Sequence, residues 1–68
     1  MREWMKTLRL EKGYTMKEMG EKLHISESYY CAIENGDRQK KMDVTIAAVL
    51  SVAFGVPIAR IIELDNLT

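Results

Sequence analysis

Apolar residues recur along the chain at intervals of three and four, and no segment alternates strictly as a half-buried strand would. Met5 and Leu8 lie three apart on one face of a predicted first helix over about residues 2–12, and Gly13 offers the left-handed residue that commonly ends a helix. Thr15 and Glu18 have the spacing of a capping box, in which hydroxyl and carboxylate satisfy free backbone amides reciprocally. They open a short second helix carrying Met19 and Leu23. Ser26 is suited to cap a third helix that runs to about Asn35 and stops at Gly36. Residues 37–42 read as a polar loop, after which Asp43 can cap a fourth helix with apolar positions up to Phe54. Gly55 ends that helix, and Pro57 fits the first position of a fifth, to which Ile58, Ile61 and Ile62 give one apolar face. Leu64 and Leu67 fall in a short tail from about residue 64. The pattern predicts an all-α fold: one compact five-helix domain over residues 1–68.

Composition narrows this reading without directing it. A core built from 68 residues stabilises a fold by only about 3–5 kcal/mol, so tight helix packing or association is expected. The single cysteine, Cys31, excludes an internal disulfide framework and suits a reducing cytoplasm. The longest uncharged stretch, residues 44–59, is too short and too rich in small residues to span a bilayer, so no membrane partner is expected. Arg2, Glu3, Lys6 and Arg9 interrupt any signal-like apolar run at the start. One histidine, one cysteine and no clustered carboxylates supply no catalytic set, so neither an enzyme nor a cofactor is expected. Formal net charge is zero, which by itself makes no case for a nucleic-acid partner.

The second helix, the tight turn His24-Ile25-Ser26 and the third helix together read as a helix-turn-helix, whose second helix can enter a DNA major groove. Any helical bundle contains such pairs, but the third helix carries a further signal. At 100° per residue, Ser26, Tyr30 and Ile33 share the face expected to meet the core. Ser28, Ala32 and Asn35 point away from it, flanked by Tyr29 and Cys31. That outer face is short-chained and uncharged, where an ordinary solvated face would carry Lys and Glu.

Three stretches then carry a resemblance: Leu8-Arg9-Leu10-Glu11-Lys12-Gly13-Tyr14-Thr15, Met19-Gly20-Glu21-Lys22-Leu23, and Ile33-Glu34-Asn35-Gly36. Together they resemble the phage-repressor/Cro-like (XRE-type) helix-turn-helix family over nearly the whole chain. The resemblance implies a DNA-binding transcriptional regulator, a repressor acting as a dimer on a palindromic operator. It also implies that Arg9 and Glu34 form a partly buried structural ion pair. Gly20 falls where the family carries a small residue between helices two and three, and His24 stands at the family's usual glycine. Met16 replaces the Gln that the family often has at the start of helix two, so one amide contact is missing.

Matched position by position, the candidate base contacts are Glu27, Ser28, Tyr29 and Ala32. Ser28 can donate or accept, and Ala32 can pack on a thymine methyl. Tyr29 suits either a base or a phosphate. Glu27 can accept from a cytosine amino group or simply complement the helix dipole. Candidate phosphate contacts are Lys17, Ser26, Asn35, Arg38, Gln39, Lys40 and Lys41. The loop holding the last four is longer than the family's usual one and lacks its proline. His24, Glu27, Cys31 and Glu34 have a 3-4-3 spacing, but the turn breaks it and Glu34 is committed elsewhere, so no metal is assigned.

The expected partners are double-stranded DNA and a second copy, held through helices four and five or the tail. The competing function is a protein-binding module, antitoxin-like or a helix-turn-helix domain with little affinity for DNA. The expected location is the cytoplasm of a bacterium, with the gene bacterial or on a mobile element. Charge asymmetry favours DNA: residues 1–42 carry a balance of +2 and residues 43–68 a balance of −2.

Overall fold

The computed structural model describes residues 1–67, which form α1 (Glu3–Lys12), α2 (Met16–Leu23), α3 (Glu27–Asn35), α4 (Val44–Phe54) and α5 (Ile58–Asn66). No strand occurs among the described residues, and Thr68, the last residue of the expected domain, lies outside them. Local chemistry sets most of the boundaries. At α2 the capping box is complete: the Glu18 amide donates to the Thr15 hydroxyl at 3.1 Å, and the Thr15 amide to the Glu18 carboxylate at 2.9 Å. Those contacts hold the Glu18 carboxyl below its usual range, the Thr15 backbone amide being the main cause. Ser26 and Asp43 cap α3 and α4, accepting from the amides of Tyr29 and Thr45. Gly13, His24, Gly36 and Gly55 end four helices in the left-handed region. His24 does so at φ 59, a conformation that histidine tolerates better than most residues.

The core gathers Met5 of α1, Met19 and Leu23 of α2, Tyr30 and Ile33 of α3, Ala47, Leu50 and Phe54 of α4, and Ile61 of α5. At Gly55-Val56-Pro57 the chain turns sharply, setting α5 at 113° to α4. No single helix among the described residues is long and apolar enough to cross a membrane. A radius of gyration of 10.5 Å matches the roughly 11 Å of a fully compact chain this long.

Several expectations are corrected. Ser26 is exposed, because a cap residue sits outside the helix and its side chain turns back to the amides rather than to the core. Pro57 is the residue before α5, not its first position. That helix continues through Leu64 and Asp65 to Asn66, where a tail was expected. On its apolar face only Ile61 is buried, since α4 covers one side of so short a helix and leaves Ile58 and Ile62 partly in solvent. Trp4 lies beside α5, sharing a shallow cleft with Val56 and Leu64, while Leu10 in the last turn of α1 is exposed.

Candidate nucleic-acid interface

Two buried arginines hold the elements around α3. Arg9 of α1 meets Glu34 of α3 through two parallel bonds, Nε to Oε2 at 3.0 Å and Nη2 to Oε1 at 3.2 Å. Its remaining arm donates to the Tyr14 carbonyl at 3.1 Å. Glu34 is wholly buried, so the fork of the guanidinium replaces the water its carboxylate has lost. The hydrogen bonds that Arg9 donates to Glu34 raise its pKa further. Burial, together with the Glu34 carboxylate, drives the Tyr30 phenol far above its ordinary value, so it stays neutral.

Arg2 is the second, and sequence reasoning missed it. Its side chain is buried and donates to the Ile33 carbonyl at 2.6 Å, to the Arg38 carbonyl at 3.0 Å and to the Gln39 carbonyl. Its Nε pairs with Asp65 of α5 at 2.6 Å, and its backbone amide donates to the Glu34 carbonyl at 2.8 Å. One side chain therefore closes the C-terminal end of α3, the following loop and α5 on each other. A signal was available: Arg2, Met5 and Arg9 are spaced i, i+3, i+7 and share the core-facing stripe of α1. Asp65 extends the Ile58–Ile61 stripe of α5 in the same way.

Gly20 lets α2 approach the turn. A Cβ there would sit 3.0 Å from the Ile25 carbonyl oxygen and 3.3 Å from the Glu27 amide, both rigid backbone. The start of α3 is thereby seated on α2. Lys17, one turn before Gly20 on the same side of α2, is exposed close to that junction. Met16, at the position of the missing Gln, packs against the core.

On α3, Glu27, Ser28, Tyr29 and Asn35 are exposed and Ala32 is half-buried. The Asn35 amide reaches the Cys31 sulfur at 3.5 Å, a weak contact. Arg38, Lys40 and Lys41 are exposed, and the loop that carries them folds back on α3: the Asp37 and Arg38 amides both donate to the Ala32 carbonyl. Gln39 differs from its neighbours. It is half-buried at φ 54, and its side chain spans Tyr29 and Asp43. The structure thus links Gln39 to Tyr29 and Arg38 to Ala32, with Ser26 bonded to the Tyr29 amide at the start of α3. No three His, Cys, Asp or Glu residues among those described are arranged to hold a metal ion.

Comparison with known proteins points to the same two-helix unit. The helix-turn-helix family model matches residues 5–61. The chain is 44% identical over 45 residues to YqaF of Bacillus subtilis (strain 168), an uncharacterized HTH-type transcriptional regulator. That match covers 66% of this chain, which spans 59% of the relative's length. No solved structure matches significantly. With five helices, a seated α2–α3 pair and a family match over most of its length, the chain belongs to the XRE-type helix-turn-helix family.

Proposed function

We propose that this chain is a sequence-specific DNA-binding transcriptional regulator that places α3 in the major groove, represses transcription and binds a palindromic operator as a dimer. The observation that carries the reading is the outer face of α3. It is uncharged beyond Glu27, its one large side chain is Tyr29, and the loop that follows it carries the exposed cations Arg38, Lys40 and Lys41, with the Arg38 amide bonded back to Ala32. Ser28, Tyr29 and Ala32 are the base readers in this reading, with Glu27 at the entry of the helix. Lys17, Ser26, Asn35 and the loop cations hold phosphates, as positioning contacts that carry no sequence information. The name of the Bacillus relative, an HTH-type transcriptional regulator, supports the regulatory part of this reading. Dimerisation is assigned to α4 and α5, where Val44, Val52, Ile62 and Leu67 leave apolar surface in solvent. That same surface is what favours the second reading, a protein-binding module. The regulator would act in the cytoplasm.

Titration of a labelled random-sequence duplex by fluorescence anisotropy separates the two. If each copy of a bound dimer neutralises about three phosphates, affinity should fall on the order of 10³-fold between roughly 50 and 200 mM salt. Lys40→Ala with Lys41→Ala should weaken binding to every duplex and flatten that dependence. Ser28→Ala should change sequence preference instead. No duplex binding at any salt would favour the protein-binding module.

A further inference from the structure

Resting on the DNA-binding reading, we propose that Tyr29 meets the duplex only as a hydrogen-bond donor, because Gln39 occupies the acceptor side of its hydroxyl. The inference follows from a chain of hydrogen bonds whose direction admits one solution. The Asp43 backbone amide lies 3.0 Å from one end of the Gln39 side chain, and a backbone amide can only donate. The atom facing it is therefore the carbonyl oxygen, Oε1, which settles the orientation of the amide. Its other end, Nε2, can only donate, and it lies 3.1 Å from the Tyr29 hydroxyl oxygen. Tyr29 accepts that bond, and its own proton is left for something outside the protein.

Gln39 is well held for this task. Its carbonyl accepts from the buried guanidinium of Arg2, its Oε1 is tied to the residue that caps α4, and its backbone sits in the left-handed region. Tyr29 in turn is anchored at its backbone, where its amide donates to the cap hydroxyl of Ser26. Arg2 and Gln39 are positioning residues, acting on DNA through the direction of one O–H bond. An outward donor excludes the amino groups of cytosine and adenine as partners. It selects an acceptor: a phosphate oxygen, or an N7, O6 or O4 atom lining the major groove.

Four proteins test this: the wild-type chain, Tyr29→Phe, Gln39→Glu and the double variant, each checked for native circular dichroism. Gln39→Glu keeps an oxygen for the Asp43 amide but cannot donate, so the Tyr29 hydroxyl turns to donate its hydrogen bond to the carboxylate. Tyr29→Phe and Gln39→Glu should each weaken duplex binding about five- to tenfold. In the double variant the second change should add much less than it does alone. Loss of equal size on every duplex identifies a phosphate as the acceptor, whereas loss abolished by 7-deazapurine substitution identifies a purine N7. Wild-type affinity in Tyr29→Phe, or fully additive losses, would overturn the proposal. An arm without DNA distinguishes the protein contact from the function: Tyr29→Phe should shift the Gln39 side-chain amide resonances in the free protein, and unmoved resonances would also overturn it. If those resonances shift but the wild-type chain binds no duplex, it is the DNA reading that fails, taking the outward contact with it.

Discussion

The two halves of this molecule are held by different kinds of force. Around α3, the buried set includes Arg2, Arg9 and Glu34, and the starts of α2 and α3 are closed by side-chain caps. In α4 and α5 everything buried is hydrocarbon: Ala47, Leu50, Phe54 and Ile61. Charge-assisted hydrogen bonds are directional, so they fix where a backbone lies and which way a side chain points. Hydrocarbon burial asks mainly for volume, and it accepts similar shapes. The half that carries the proposed recognition face is built from the first kind. The half that exposes apolar surface is built from the second, with Arg2 and Asp65 joining the two.

Breaking the directional half should be the most damaging change. Glu34→Gln leaves the Arg9 charge facing a neutral amide and should cost about 3–5 kcal/mol, read by urea denaturation. That equals the whole stability expected of so small a core, so the variant should be largely unfolded at 25 °C. Cutting the join comes next. Arg2→Ala strips a donor from the buried Ile33 carbonyl and removes the cation that faces Asp65, for about 2–4 kcal/mol. Hydrogen exchange should then quicken first in residues 36–43, while full retention of protection there would show that the loop is held by other means.

Tyr30 gives a pH test of the same polar centre. Its folded-state pKa is raised, so the folded chain keeps a proton that the unfolded chain loses near pH 10. Its contribution is complete below that pH and declines above it, by up to about 1.4 kcal/mol per pH unit. Tyr30→Phe should flatten that alkaline decline in thermal melts. The smallest effect belongs to the apolar half: Ile61→Val should cost about 0.5–1.5 kcal/mol and leave duplex binding unchanged. A loss as large as that of Glu34→Gln would erase the contrast between the halves.

Much of the fold was legible because its signals are local. The Thr15–Glu18 box, the Ser26 and Asp43 caps, and the glycines after α1, α3 and α4 each act within a few residues, and all form as the pattern predicts. The extent of α5 was harder, since Leu64 and Asp65 are held in a helix by contacts with α1 that no local rule contains. Within the candidate site, exposure at Ser28, Tyr29 and Asn35 follows from helical projection, whereas Ser26 is turned out by cap geometry and Ala32 is half-buried beneath the loop that folds back on α3. Gln39 read as one more polar loop residue because its partners come from two other segments. Arg2 was hidden by its charge: an arginine on a core stripe looks like an interruption until the carbonyls that receive it are known.

The join between Arg2 and Asp65 links residues 63 positions apart, whereas α2, α3 and α4 are capped by the residues that directly precede them. Helices can therefore form early and locally, while this contact closes nearly the whole chain into a loop and belongs late in folding. An interaction absent from the transition state does not set how fast a chain folds; it sets how long the native state lasts. Arg2 is in this sense a latch on lifetime. In a cell that clears opened chains by proteolysis, a contact of this kind governs how long the protein persists.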